Sequence, residues 1–129
     1  MEIVLGGIAA FNRGDPDAWF EYWADDIDYR AAEGALDDPG PMHGRDAVVA
    51  YAQEWLDMFD EFNVEPVEVI DAGGDKIIAV LRNSGRANSS GVKIDLTYAV
   101  VYTIRDGKVA RGREYMTRAD ALEAAGLPG

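Results

Sequence analysis

Glu114 is the side chain best placed by type and spacing to do chemistry. It lies in "VARGREYM", residues 109–116, a run with strand character that carries three charges. Alternation along a strand sorts the run into two sets, with Ala110, Gly112, Glu114 and Met116 on one face and Val109, Arg111, Arg113 and Tyr115 on the other. Burying one carboxyl costs less than burying two guanidinium groups, so the spacing predicts arginines that point to water and a Glu114 that points inward. A carboxyl among Gly112, Met116, Tyr98 and an apolar helix is poorly hydrated when ionised, which raises its pKa toward neutrality, where proton transfer is most effective. Glu114 is therefore the expected general base or acid. Tyr29 and Asn83, each on an inward strand position, are the expected donors that orient a substrate oxygen or a water. The alternative is a structural acid, hydrogen-bonded to Tyr29 or reaching the rim.

Other chemistry-bearing residues read as structural. His43, the sole histidine, sits in "PMHGRD" just before a helix, and one imidazole without clustered ligands does not make a metal site. Asp25 and Asp26 read as a solvated turn. The chain has no cysteine, which excludes disulfides, thiolate metal sites and cysteine nucleophiles. No metal and no cofactor is expected.

Twelve basic and 24 acidic side chains give a net charge of −12. That charge repels phosphate backbones and anionic membrane surfaces, so neither nucleic acid nor membrane is an expected partner. It is also segregated: residues 1–75 hold 19 acidic and three basic side chains, residues 76–129 nine basic and five acidic. The two halves should attract each other. No apolar run is long enough to span a bilayer, and the first residues lack the pattern of a secretory leader, so a soluble cytoplasmic protein is expected. A length of 129 residues suits one domain, 1–129.

Several elements must position these side chains. Ile3, Val4, Ile8 and Phe11 recur at helical spacing up to Asn12-Arg13-Gly14, and Asp15-Pro16 opens a short second helix through Trp19, Phe20 and Tyr22. An extended run from Ile27 to Ala32 puts Tyr29 and Ala31 on one face, and the loop "EGALDDPGPMHG" follows. The longest helix, Arg45 to Phe59, aligns Val48, Ala52, Trp55, Leu56 and Phe59 on one stripe. Four strands then form an antiparallel meander over 63–72, 76–84, 92–104 and 108–117, with "AGGD" and "RDGK" as hairpin turns. Thr117 and Asp120 predict the cap of a last short helix that ends at Gly126.

By the same period of two, Ile77, Ala79, Leu81 and Asn83 form an inner set, as do the even-numbered residues from Val92 to Tyr102. The outer face then collects Ile78, Val80, Ala99, Val101, Val109 and Tyr115 beside Arg82, Arg113 and Asp95. It is too apolar to be wholly solvated, and a second subunit is the expected cover. The alternative is a sheet face with scattered aliphatics open to water.

The order of elements, with "NRGDPDAWFEYWADDIDY", "HGRDAVVAY" and "YTIRDGKVARGREYMTRADALEAAGL", resembles the NTF2-like superfamily and, within it, the SnoaL-like branch that includes polyketide cyclases. The resemblance runs over nearly the whole chain. It implies an α+β cone: a curved antiparallel sheet packed on three helices of the N-terminal half, a short C-terminal helix, and an apolar pocket. That pocket is expected to be lined by Trp19, Trp55, Leu81, Tyr98, Val100 and Met116. It also implies homodimers that pair through the sheet. Departures narrow the chemistry. Ketosteroid isomerases carry catalytic polar residues where this chain has Ala31 and Val100, and a tyrosine near Gly7. Limonene epoxide hydrolases hold water at positions matching Tyr29, Ala31 and Glu114, but their arginine and aspartate fall on Leu81 and Asn83. A SnoaL-like cyclase needs only one pocket acid, the role open to Glu114. The implied function is cofactor-free acid–base chemistry (cyclisation, isomerisation or hydration) on a small apolar oxygenated molecule. The competing reading is a non-catalytic ligand-binding or dimerisation module.

Overall fold

The computed structural model describes residues 2–12, 16–31 and 41–127. The caps expected at Gly14 and Asp15, and the turn-rich run 33–40, lie outside the described residues. Helix α1 spans Glu2–Asn12 and buries Val4, Ile8 and Phe11. Helix α2, Pro16–Phe20, buries Trp19 and Phe20. A Cβ at Gly7 would lie 2.2 Å from the indole of Trp19, so this glycine is what allows the two helices to close on each other. Asn12 ties the end of α1 to the sheet: its amide donates to the Val64 carbonyl at 2.6 Å and its oxygen accepts from Val64 N at 3.0 Å.

Strand β1, Trp23–Arg30, begins four residues before its expected start, and β2, Pro41–His43, pairs with it where the sequence reads as loop. Three residues are too few to show a period. Helix α3, Arg45–Met58, gives way at Phe59, whose extended backbone opens β3. The meander follows in the expected order, with β3 starting four residues early and β4 ending three late: β3 Phe59–Asp71, β4 Lys76–Ala87, β5 Lys93–Arg105 and β6 Lys108–Tyr115. The β5–β6 turn has positive φ at both Asp106 and Gly107, the conformation whose twist matches an antiparallel pair. Helix α4, Arg118–Ala124, is capped by Thr117, whose hydroxyl accepts from Asp120 N at 3.1 Å.

The six strands form one curved, open sheet in the order β2-β1-β6-β5-β4-β3, and with the helices they make an α+β fold. Four pairings are antiparallel; β1 lies parallel to β6, which sets Tyr29 opposite Gly112. The main core fills the inner face, where Ile77, Ala79, Leu81, Val100 and Tyr102 meet α1, α2 and α3.

Two expectations about the outer face change. Val109 is only 1% exposed and belongs to the inner core. Ile104 pairs with Val109 but Thr103 with Arg111, so Ala110 is the extra residue of a bulge, and Val109 changes face while Gly112 and Glu114 do not. The outer aliphatics Ile78, Val80 and Ala99 are covered by the chain's own α4, through Ala121 and Leu122. No helix among the described residues is long and apolar enough to cross a membrane.

Candidate active site

The open end of the inner face holds a cavity of about 590 Å³ between α3, the first two helices and the sheet. A volume of this size suits a small organic ligand. Register fixes its chemical end. Glu114 stands opposite Val100 on β5, so the residues two positions either side, Tyr98 and Tyr102, flank it on the same face. From the other side Tyr29 reaches across β6 and donates its hydroxyl to Glu114 Oε2 at 2.5 Å. Gly112 is what lets it do so: a Cβ there would lie 2.5 Å from Cδ2 and Cε2 of the Tyr29 ring. A second hydrogen bond runs from the Tyr98 hydroxyl to Asn83 Oδ1, at 3.2 Å.

Burial and the nearby carboxyl of Glu114 together push the phenols of Tyr29, Tyr98 and Tyr102 up, the first two well above their ordinary range. Both causes act alike, since removing water disfavours a phenolate and a neighbouring negative charge repels one. All three rings are therefore neutral hydroxyl groups at physiological pH.

Glu114, Tyr29 and Asn83 all line the cavity, and Asn83 is a buried polar residue at 8% exposure. Trp19, Trp55, Tyr98 and Met116 line it as well, Met116 at the mouth with 58% of its surface exposed. Leu81 and Val100 do not. Both point to the inner face but are fully buried in the core behind the lining. Tyr29 directs its proton to Glu114, the arrangement that the structural alternative anticipates, rather than into the cavity.

Trp23, a tryptophan that the sequence offers as either cavity lining or core, is in the lining, and Tyr51, Phe59 and Phe62, which sequence reasoning passes over as lining, complete the aromatic wall. A signal exists for Tyr51, which is three residues after Val48 and four before Trp55 on the inward stripe of α3. Trp55, Phe59 and Phe62 form a stacked series, with centroids 5.3 Å and 6.0 Å apart.

Outside the cavity, His43 Nδ1 and Asp28 Oδ1 are 2.5 Å apart across β1 and β2, and the carboxylate raises the imidazole pKa. Both side chains are exposed. Asp25 and Asp26 pair with Arg45 and Arg105. Among the described residues no group of three or more His, Asp or Glu is placed to hold a metal ion.

The fold matches that of several solved structures. A protein with a ketosteroid isomerase-like fold from Catenulispora acidiphila, crystallised with trimethylamine, is 22% identical, with a TM-score of 0.74 over 98% of this chain and 94% of that one. An NTF2-like protein of unknown function from Burkholderia pseudomallei is 21% identical, with a TM-score of 0.77 over 95% and 94%. TerC, co-crystallised with polyporic acid, is 19% identical, with a TM-score of 0.75 over 97% and 96%. No curated protein matches the chain. The model of the SnoaL-like domain matches residues 4–112, which runs from α1 to the glycine beneath Tyr29 and stops two residues before Glu114, and the chain belongs to that family.

Proposed function

We propose that the cavity binds a small, largely apolar oxygenated molecule and that Glu114 exchanges a proton with it, in cofactor-free cyclisation, isomerisation or hydration. The observation that carries this reading is one carboxyl, held by a tyrosine hydroxyl, on the wall of an aromatic cavity. Tyr29 acts as a positioning residue, because its hydrogen bond fixes which oxygen of Glu114 faces the ligand. Asn83 accepts from Tyr98 through Oδ1, which orients its amide nitrogen as a donor toward a substrate oxygen. The outer sheet face serves as a homodimer contact, supported by Val101 and Tyr115, which stay partly exposed beside α4.

The test is a thermal-shift screen of polyketide-like, terpenoid and steroidal compounds, followed by turnover of each hit with the wild type and Glu114→Gln. Loss of a positioned acid or base lowers turnover by roughly 10²- to 10⁴-fold, with affinity retained. Unchanged turnover in the variant sinks the catalytic assignment. The second reading, a non-catalytic binding module, is favoured by the buried apolar Ala31 and Val100, at positions where the catalytic relatives named above carry polar groups. It expects binding without any turnover.

A further inference from the structure

Half of the twenty described residues that line the cavity are aromatic, and all three tryptophans of the chain are among them. Among the described residues Glu114 is the one charged side chain on this lining, and no lysine, arginine or histidine belongs to it. Ring faces present the negative part of the aromatic quadrupole, so such walls attract a cation and offer little to an anion.

The tyrosine hydroxyls point the same way. Tyr29 donates to Glu114 and Tyr98 to Asn83, so two phenol hydrogens are committed to partners within the protein and their oxygens remain as acceptors. Tyr98 and Tyr102 flank the position of Glu114 on one strand and Tyr29 reaches it from another, which sets the carboxyl among three phenol rings. Trp55, Phe59 and Phe62 supply a second aromatic wall. A neutral apolar guest strips water from Glu114 without replacing it, and an anion adds repulsion. A cation restores by attraction what the carboxylate loses in hydration. The net charge of −12 also steers cations toward the protein.

We propose that the cavity takes an apolar amine in its cationic form, a tertiary or quaternary ammonium whose charge lies against Glu114 and whose substituents lie on the aromatic walls. This is a ligand class beyond the oxygenated molecules of the proposed function, and it rests only on that proposal's reading of the cavity as the ligand site.

Intrinsic tryptophan fluorescence reads the binding, since every tryptophan lines the cavity. Three probes share one shape: benzyltrimethylammonium, its uncharged carbon isostere neopentylbenzene, and the anion benzylsulfonate. The ammonium is expected to bind the wild type at least about tenfold more tightly than neopentylbenzene, and benzylsulfonate most weakly. Glu114→Gln is expected to remove most of the ammonium's advantage and leave the affinity for neopentylbenzene unchanged. The wild-type comparison decides the matter by itself where that variant does not fold. Neopentylbenzene binding as tightly as the ammonium overturns the cation assignment and leaves the acid–base reading standing. Failure of all three probes to bind overturns the cation assignment, while the acid–base reading falls only if the oxygenated compounds of the screen above also fail to bind.

Discussion

A methyl group at position 112 would sit 2.5 Å from two carbons of the Tyr29 ring, and neither partner can step aside. Tyr29 is held by its parallel pairing to Gly112, and its hydroxyl is committed to Glu114. Gly112→Ala is therefore expected to cost about 1–3 kcal/mol, as overpacking of a filled interior does. It should also break the Tyr29–Glu114 hydrogen bond. Chemical denaturation checks the first effect. Adding Tyr29→Ala should make Gly112→Ala nearly neutral, because the clash then has no partner. A full penalty in both backgrounds would show that Gly112 matters for some other reason. The orientation of Glu114 is legible in the sequence because its alternative buries two arginines, a difference large enough to decide a face. The contact of Gly112 with Tyr29 is not legible, since it depends on a parallel pairing between strands more than 80 residues apart. Val109 illustrates a second limit. A bulge is one inserted residue with no side-chain signature, and alternation carried through Ala110 assigns the wrong face.

At the scale of elements, the outer sheet face shows how a correct hydrophobic argument can leave out a cover that the chain itself supplies. Ile78, Val80 and Ala99 do need burial, and α4 provides it from the same chain. Helix α4 itself is readable, since the Thr117 cap is a local signal that the structure reproduces. What it packs on is not readable, because a period shows which side of a helix is apolar and not which surface meets it. Leu122 is the main anchor, 4% exposed against Ile78 and Val80. Leu122→Ala is expected to cost about 2–4 kcal/mol, in the range for a buried leucine that leaves a partly collapsed cavity. Thr117→Ala should cost only about 1 kcal/mol, the value of one capping bond. The two midpoints from the same denaturant series check the order. A Leu122 variant as stable as the wild type would mean that α4 does not cover the sheet, and the proposed second subunit would have to cover Ile78, Val80 and Ala99 as well. The cavity is unaffected by either outcome, since α4 lies on the opposite face.

For the whole molecule, the segregation of charge is realised as ion pairs between the two halves, Arg105 with Asp26, Arg118 with Glu68 and Arg82 with Glu65, and Arg82 also pairs with Asp95 within the second half. Their nitrogen–oxygen separations run from 2.5 to 3.8 Å, and every partner is substantially exposed. Exposed pairs contribute little each. Against them stands the self-repulsion of twelve excess negative charges. The two effects differ in range, which makes them separable by salt. At about 0.01 M ionic strength the screening length is about 30 Å, comparable to the diameter of a chain of this size, so all the excess charges repel one another. At about 0.3 M it falls to roughly 6 Å. The ion pairs, closer than that at either concentration, keep most of their attraction, while the long-range repulsion is removed. Thermal stability is therefore expected to rise between these concentrations of sodium chloride, by roughly 1 kcal/mol or about 4 °C in Tm. Sodium chloride is the salt to use, because sulfate would strengthen apolar burial and confuse the reading. A Tm that falls over the same range would mean that attraction between the halves outweighs the net charge, and the ion pairs would then be a principal source of stability rather than a consequence of the fold.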